Sequence, residues 1–330
     1  MSIRLSLAVQ SGGFVVPAEG RIAVFHPREE HDLSALPKAQ VLVVQPFRPD
    51  HDAFASRGYD CVAALADDAE FATAVVFLPR AKALARASLA QAVAVTNGPV
   101  LIDGAKTDGI DSVLKEARKR ADPSAPLSKA HGKAFWLQGG GQEFADWQSR
   151  DFDQVDGFAT APGVFSADGI DPASQLLIQA LPAKIGRNLA DLGAGWGYLA
   201  SQILQREAVE SLHLVEADHS ALACARANVA DSRAQFHWAD ARGWKAPNLV
   251  DGVVMNPPFH SGRAAEPALG QAFIETAARI LAPSGNLWLV ANRHLPYEAQ
   301  LTGRFAKVDE IAGDNRFKIL HASRPKRLRR

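Results

Sequence analysis

The sequence predicts an α/β protein built from two tandem Rossmann-like domains. In both halves, short apolar runs alternate with helical stretches, a pattern typical of a parallel sheet with helices on its faces. The chain has 330 residues, whereas a single domain usually has roughly 100 to 200. Its composition, 47% hydrophobic and 22% charged, is that of an ordinary globular protein. We therefore expect two folded domains and not a disordered or fibrous chain.

The first half contains four apolar runs that we interpret as buried strands: Ile22–Phe25, Val41–Val44, residues 74–78 and residues 100–102. Residues 81–95 and 110–121 have the composition of helices. No glycine-rich turn follows these strands, and the second one ends in Gln45-Pro46-Phe47. The first half is therefore predicted to be α/β without a binding loop for a phosphate or nucleotide.

A stretch rich in glycine and proline separates the two halves. It contains Gly139-Gly140-Gly141 and Ala161-Pro162-Gly163, and such clusters interrupt regular structure. We place the boundary near residue 150, which gives domains 1–150 and 151–330. The second half repeats the alternation, with a helix at 172–181 and strands that end at Asp191 and then span 212–215, 235–238, 250–255, 286–290, 305–311 and 317–322. A duplication in which only the second copy kept its site is a hypothesis that fits this repetition.

Charge and cysteine content narrow the function classes. Lys plus Arg and Asp plus Glu both number 36, so no overall positive field draws the protein onto nucleic acid. Cys61 and Cys224 are isolated, which indicates core thiols, a reducing compartment and no metal site. No apolar run is long enough to span a membrane, and we expect a cytoplasmic protein. The basic C-terminus is either a phosphate-binding patch or a solvated tail: Arg324, Lys326, Arg327, Arg329 and Arg330.

The strongest local feature is the turn Asp191-Leu-Gly193-Ala-Gly195-Trp-Gly197-Tyr198, which follows an apolar strand and precedes a helix. Glycines at such a turn let the backbone pass close to a ligand. Dinucleotide enzymes use a similar turn with the pattern G-x-G-x-x-G, but the third glycine of that spacing falls here on Tyr198. Together with the acid at Asp191, the turn favours S-adenosylmethionine, which carries an amino group and a sulfonium, over a dinucleotide.

Two further acids follow the next two strands of the second half. Glu216 ends the strand at 212–215, where a carboxylate can accept both hydroxyls of a ribose, and Asp218 competes for that role. Asp240 follows the strand at 235–238 and is placed to accept a hydrogen bond from an adenine amine. Because the carboxyl ends of parallel strands share one edge of the sheet, we expect these acids beside the glycine turn.

The motif Asn256-Pro257-Pro258-Phe259-His260 directly follows the apolar strand at 250–255. Its two prolines stiffen the turn. The Asn256 side-chain oxygen and the Pro257 carbonyl are two fixed acceptors suited to a planar exocyclic amine that receives a methyl group. Phe259 offers a face on which a base stacks, and His260 is either an edge contact or an ordinary loop histidine. The motif therefore predicts methyl transfer to a planar nitrogen.

With these motifs the sequence resembles the class I S-adenosylmethionine-dependent methyltransferases, and in particular the two-domain bacterial ribosomal RNA small subunit guanine-N2 methyltransferase C family. The resemblance covers about residues 160–323. Besides the glycine turn and the Asn-Pro-Pro motif, it rests on Gly163 to Asp171, Ser174 to Leu177, Val290 to Asn292, Leu295 to Tyr297 and Arg316 to Lys318. Two departures are Trp196, where a small residue is usual, and Glu216 in place of Asp.

The resemblance implies the donor S-adenosylmethionine, the product N2-methylguanosine and ribosomal RNA or the small ribosomal subunit as partner. It implies a strand order 3-2-1-4-5-7-6 with an antiparallel seventh strand, and a degenerate first domain without cofactor that serves recognition or structure. On the same basis we expect cofactor contacts from Asp191, Gly193, Gly195, Gly197, Glu216, Asp240 and Asn256. The catalytic residues are expected to be Asn256, Pro257 and Phe259, and the substrate-binding residues Phe259, His260 and Lys318. A monomer is favoured.

Two other functions remain open from the sequence. A protein glutamine amide, or an amine on another RNA base, is also a planar nitrogen that an Asn-Pro-Pro-aromatic turn can hold. From a different class, the chain could be a non-catalytic RNA-binding protein that kept the fold. Retention of Asp191, Glu216, Asp240 and Asn256 argues against the non-catalytic alternative, because a site without function has no need of all four.

Overall fold

The computed structural model describes residues 3–148, 152–258 and 267–326. The chain divides into two units, Met1–Asp151 and Phe152–Arg330. The division falls within the glycine- and proline-rich stretch, one residue from the position expected from the sequence. No helix in the described ranges is long and apolar enough to cross a membrane.

The first unit contains a seven-stranded sheet. Its strands are β1 (Ile22–Phe25), β2 (Val41–Val44), β3 (Asp60–Val62), β4 (Thr73–Phe77), β5 (Pro99–Ala105), β6 (Leu127–Lys129) and β7 (Gly132–Gln138), in the spatial order β3-β2-β1-β4-β5-β7-β6. Its helices are α1 (Ile3–Gln10), α2 (Arg48–Ser56), α3 (Lys82–Ala94) and α4 (Ile110–Ala117).

The first sheet is α/β as predicted, but it is mixed and not wholly parallel. β7 runs antiparallel to both β5 and β6. The reason is the hairpin between β6 and β7, where Ala130 and His131 have positive φ angles of 47° and 53°. A loop this short connects antiparallel neighbours, whereas a parallel pair needs a long crossover.

Both faces of the first sheet are buried. Ala23 and Phe25 of β1 pack into one hydrophobic cluster, while Ile22 and Val24 pack into a second. This alternation is what a strand with a side-chain period of two produces when helices cover both faces.

The second unit begins with a two-stranded sheet, β8 (Asp153–Val155) and β9 (Phe158–Thr160). A second seven-stranded sheet follows, with β10 (Asn188–Leu192), β11 (Ser211–Glu216), β12 (Ala234–Trp238), β13 (Val250–Met255), β14 (Leu281–Asn292), β15 (Phe305–Gly313) and β16 (Phe317–Pro325). Its helices are α5 (Pro172–Ala180), α6 (Tyr198–Ile203), α7 (His219–Asn228), α8 (Pro267–Ile280) and α9 (Tyr297–Arg304).

The second sheet has the order β12-β11-β10-β13-β14-β16-β15. Numbered within this unit, that is 3-2-1-4-5-7-6, and the seventh strand, β16, is antiparallel to both of its neighbours. The expected fold is therefore confirmed. Both sheets of the chain share one strand order, which fits the duplication hypothesis.

Two helices that lead to the site have strong N-terminal caps. The Asp171 carboxylate accepts a 2.8 Å hydrogen bond from the Ser174 amide, and Pro172 occupies the first turn of α5. The Asp218 carboxylate accepts hydrogen bonds from the amides of Ser220 and Ala221 at the start of α7. A carboxylate at this position satisfies backbone donors that the helix itself leaves unpaired.

Candidate active site

The glycine turn occupies the carboxyl end of β10, and its three glycines all have left-handed backbones. Their φ angles are 76° at Gly193, 55° at Gly195 and 91° at Gly197. A Cβ added to Gly197 would lie 3.2 Å from the Ala225 Cα, so this glycine allows close packing against α7. A Cβ added to Gly195 would meet nothing within 4 Å. Gly195 therefore leaves open space beside the backbone, whereas Gly197 serves helix packing.

Asp191 is fully buried in β10, next to this turn. Neither of its carboxylate oxygens has a hydrogen-bond partner within the described residues. Burial, and secondarily the charge of Glu216, raise the pKa of Asp191 to about 8. A buried carboxylate without a partner is costly unless a cation or donor joins it. This acid therefore fits a ligand that carries a positively charged group.

Glu216 lies at the end of β11, across from the glycine turn. Its carboxylate accepts 2.8 Å hydrogen bonds from the backbone amides of Gly195 and Asp218. Burial raises the pKa of Glu216, against the lowering effect of these hydrogen bonds. Asp218 caps α7, and the contact of Glu216 with a ribose stays a prediction. Glu216 also holds the glycine turn in place through Gly195.

Asp240, the third predicted cofactor acid, follows β12 and is engaged by an arginine. Its carboxylate forms an ion pair with Arg242 at 2.6 Å and accepts a 2.9 Å hydrogen bond from the Arg242 amide. A carboxylate has about four acceptor positions, so this pairing leaves room for a further donor. Its contact with adenine stays a prediction.

Asn256 directly follows β13, and its side-chain amide has a defined orientation. The Asn256 Nδ2 donates 2.9 Å hydrogen bonds to the Asp171 Oδ2 and to the Ser174 Oγ, both at the start of α5. An amide nitrogen has only two hydrogens to donate. Both are used here, so the group that Asn256 can offer to a substrate is its acceptor oxygen.

The rest of the Asn-Pro-Pro motif is described only in part. Pro257 is buried and Pro258 is exposed, whereas Phe259 and His260 lie outside the described residues, as do Arg327, Arg329 and Arg330 of the C-terminus. The predicted roles of these residues stay predictions.

Lys318, predicted to bind substrate, forms an ion pair in this structure. Its side chain is buried on β16, and its ammonium group pairs with the Glu298 carboxylate. A direct contact with substrate would require this ion pair to open, and removing a partner from a buried charge is unfavourable. The predicted substrate contact of Lys318 stays a prediction, and in this structure its ion pair links β16 to α9.

Phe165, which belongs to a segment of the family resemblance but was not predicted as a site residue, lines the same cleft. Phe165 is 56% exposed, and its backbone carbonyl accepts a 3.0 Å hydrogen bond from the Trp196 indole. Ser166 beside it has a positive φ of 54°, a backbone conformation that costs energy in a residue other than glycine. The Phe165 ring is therefore solvent-exposed at this site, and the Trp196 indole holds the Phe165 backbone in place.

The cleft brings together residues from distant parts of the chain. Its lining includes Phe165, Asp171, Ser174, Gly193, Gly195 and Asn256. Of these, Gly193, Gly195 and Asn256 were predicted as site residues. Asp171 and Ser174 appeared only as parts of the family resemblance, because nothing in a single sequence shows that the start of α5 contacts the end of β13.

Comparisons with known proteins agree with this geometry. The family model described as methyltransferase small domain matches residues 156–321. The chain is 31% identical over 278 residues to a protein of Hahella chejuensis named ribosomal RNA small subunit methyltransferase C, covering 79% of this chain and 80% of that one. A protein of the same name from Shewanella halifaxensis is 31% identical over 268 residues, covering 77% and 78%.

Among solved structures, a T. thermophilus 16S rRNA N2 methyltransferase in complex with AdoMet and guanosine matches with a TM-score of 0.79 and 24% identity. The match covers 98% of this chain and 91% of that one, and it shows that the two-unit fold is shared.

The fold, the glycine turn and the Asn-Pro-Pro motif thus define an S-adenosylmethionine-dependent methyltransferase of the small-domain class. The two named relatives identify the family within this class, because each is 31% identical in an alignment that covers more than three quarters of the chain. The chain belongs to the ribosomal RNA small subunit methyltransferase C family.

Proposed function

We propose that this protein transfers a methyl group from S-adenosylmethionine to the exocyclic N2 amine of a guanine in 16S ribosomal RNA. The observation that carries the proposal is the fixed amide of Asn256, whose two donors are held by Asp171 and Ser174 beside the glycine turn. The names of the relatives and the guanosine bound to the T. thermophilus enzyme support the choice of base. We place this reaction in the cytoplasm, with free rRNA or the small ribosomal subunit as substrate. All the residues proposed for it belong to one chain, so a monomer is sufficient.

The residues present fit the cofactor. Asp191, buried and without a partner, would pair with its amino group, the open side of Gly195 would accommodate it, and Glu216 would accept hydrogen bonds from its ribose. When bound, S-adenosylmethionine supplies a methyl group activated by an adjacent positive sulfur. Asp240 would accept a hydrogen bond from the adenine amine of the cofactor.

Asn256 and Pro257 act on the guanine amine. The lone pair of this nitrogen is delocalised into the ring, so it becomes nucleophilic only as the nitrogen moves out of the plane. The Asn256 amide oxygen and the Pro257 carbonyl would accept its two N–H groups and stabilise the positive charge that builds on nitrogen. Because the amide is already held at two points, little reorganisation is needed on reaching the transition state.

Phe165 provides a face for stacking on this side of the cleft, and Phe259 is the second aromatic residue that we propose for the base. Stacking holds a base without sequence readout. The combination of stacking faces and two acceptors selects a planar ring that carries an amine.

Product analysis tests this proposal. The purified protein is incubated with labelled S-adenosylmethionine and either unmodified 16S rRNA or small subunits, and the RNA is digested to nucleosides for mass spectrometry. N2-methylguanosine is expected with the wild type and not with Asn256→Ala. A methylated adenine, or label found only in protein glutamine, would refute the guanine assignment.

A further inference from the structure

The first unit contains a cavity of about 370 Å³ at the carboxyl edge of its sheet. His26 follows β1, Gln45 follows β2, Leu78 follows β4 and Asp103 lies in β5, and all four line it. β1 pairs with β2 on one side and with β4 on the other. The cavity is therefore at the point where the strand order changes direction, which is where open α/β sheets bind ligands.

The cavity lacks the residues proposed for methyl transfer in the second unit. Leu78 is the first residue after β4, the fourth strand of the first sheet, as Asn256 is the first residue after β13, the fourth strand of the second. A leucine cannot accept a hydrogen bond, and residues 26–40 contain no glycine. The first unit therefore has a cavity at this edge of its sheet without the groups proposed for methyl transfer.

The floor of the cavity has an unsatisfied acceptor. Asp103 is 1% exposed, and its Oδ1 accepts a 2.6 Å hydrogen bond from the Arg4 Nε. Its other oxygen, Oδ2, has no partner within the described residues. A buried carboxylate oxygen normally has a hydrogen-bond donor. This oxygen indicates a ligand that donates an N–H or O–H group.

The charged side chains that line the cavity favour a ligand with hydrogen-bond donors over a ligand with negative charge. Four carboxylates and three arginines line the cavity: Glu30, Asp50, Asp103, Asp108, Arg4, Arg28 and Arg80. His26 and His31 add no positive charge near neutral pH, because burial lowers the pKa of each to about 4. The floor thus suits N–H donors, and any phosphate contact falls to the rim.

The rim combines an aromatic ring with a cation. Phe47 is 43% exposed beside the cavity, and Arg80, also exposed, forms no ion pair within the part of the chain that the structure describes. Deeper in, the His31 ring stacks on the Phe77 ring with centroids 4.1 Å apart. An exposed ring and an exposed arginine that line one cavity can together bind a base and its phosphate.

We propose that this cavity in the first unit binds a guanine nucleotide, with the base stacked on Phe47, its N–H edge at the Asp103 carboxylate and its phosphate at Arg80. Guanine is preferred because its N1–H and N2 amine place adjacent donors on one edge, whereas adenine offers an amine beside an acceptor nitrogen. The ligand is either a free nucleotide or a nucleotide of an RNA strand, since both present the same groups.

Binding to the full-length protein tests this inference by calorimetry. The probes are GMP, guanosine, AMP, ribose 5-phosphate and single-stranded RNA pentamers that carry one central G or A. Phe47→Ala is expected to weaken GMP binding about tenfold, the effect of losing one stacked base. Arg80→Ala should weaken GMP but leave guanosine unchanged. Both side chains are exposed, so neither variant threatens folding. Phe165→Ala, which removes the stacking face proposed for the second unit, distinguishes guanine binding there from binding in the first unit.

The source of the ligand follows from the pentamers. Phe47-dependent binding of the G pentamer, tighter than that of GMP, assigns the site to RNA, and tighter binding of GMP assigns it to the free nucleotide. AMP or ribose 5-phosphate binding as tightly as GMP would overturn the guanine assignment. GMP binding that is lost in Phe165→Ala but not in Phe47→Ala would place all binding in the second unit and overturn the site. These results do not depend on whether the protein forms N2-methylguanosine, which product analysis decides separately.

Discussion

The side-chain amide of Asn256 donates a 2.9 Å hydrogen bond to the carboxylate of Asp171, a residue 85 positions earlier in the chain. The same Asp171 oxygen caps α5 through the Ser174 amide, so one carboxylate starts a helix and orients the proposed catalytic amide. Local folding of α5 thereby determines the geometry at the end of β13.

We predict that Asn256→Ala lowers turnover on rRNA by about a hundredfold, because one preorganised transition-state acceptor contributes on the order of 3 kcal/mol. Affinity for S-adenosylmethionine should stay within a few-fold. Single-turnover methylation and a cofactor titration measure the two effects. Near wild-type turnover in a folded variant would remove Asn256 from the reaction.

Asp171→Ala tests whether Asp171 acts through Asn256. It should lower turnover and also cost about 1 kcal/mol of folding stability through loss of the helix cap. In the Asn256→Ala background the same change should cost stability but no further turnover, because the amide it orients is gone. Additive losses in turnover would instead indicate a separate role for Asp171.

Asp191→Asn is expected to change the pH dependence of both folding stability and cofactor affinity, and the two can be measured separately. Because Asp191 has a pKa of about 8 in the folded protein, above its ordinary value of 3.8, the folded state binds this proton more tightly than the unfolded state. Wild-type stability should therefore fall as pH rises from about 4 to about 8 through this residue, and the asparagine variant should not show that contribution. Thermal unfolding across this range should show the variant gaining on the wild type as pH increases.

The cofactor gives the second measurement on Asp191. A cationic amino group pairs with the ionised carboxylate, so wild-type affinity for S-adenosylmethionine should rise as the pH approaches the Asp191 pKa of about 8. Asp191→Asn should bind weakly and with little pH dependence. If the variant binds as tightly as the wild type at pH 8, Asp191 does not contact the cofactor.

Two glycines of one turn should respond differently to alanine. Gly195→Ala places its Cβ in open space, so it should fold with a loss of about 1–2 kcal/mol from the left-handed backbone while cofactor affinity falls at least tenfold. Gly197→Ala brings its Cβ within about 3.2 Å of α7 and should lose more stability. Unfolding curves and cofactor titrations on the pair check this, and the reverse ranking of stability would contradict the packing role of Gly197.

Phe165→Ala should raise the KM for rRNA, since a stacked base is worth about 1–3 kcal/mol, with cofactor affinity unchanged. Phe165→Tyr should recover most of the loss. Leu249→Ala is the control, because Leu249 is 51% exposed and precedes β13 at the opposite end of the strand from Asn256. Equal effects of Phe165→Ala and Leu249→Ala would show that Phe165 contributes only exposed apolar surface.

Features carried by short segments were predictable from the sequence. The ranges of β1, β2 and β13 were predicted to the residue, because each is a short apolar run bounded by turn residues. The glycine turn and the Asn-Pro-Pro motif were found because each follows such a strand directly. The helix predicted at 110–121 ends at Ala117, which shows the weaker signal for helix ends.

Features that depend on long-range contacts were not predictable. The ion pair of Lys318 with Glu298 joins residues 20 positions apart, and the hydrogen bond from the Trp196 indole to the Phe165 carbonyl joins residues 31 positions apart. The direction of β7 depends on a hairpin formed by two non-glycine residues with positive φ, Ala130 and His131. Such residues carry little turn signal in a sequence.

The repeated strand order has a consequence for biosynthesis. All seven strands of the first sheet lie between Ile22 and Gln138, so every pairing partner of that sheet has left the ribosome before most of the second unit is translated. Domains generally fold as units, the N-terminal one first. A nascent chain of this protein can therefore complete its first sheet early. When the strands of the similar second sheet emerge, those of the first are already paired with each other, which disfavours wrong pairing between the two sheets.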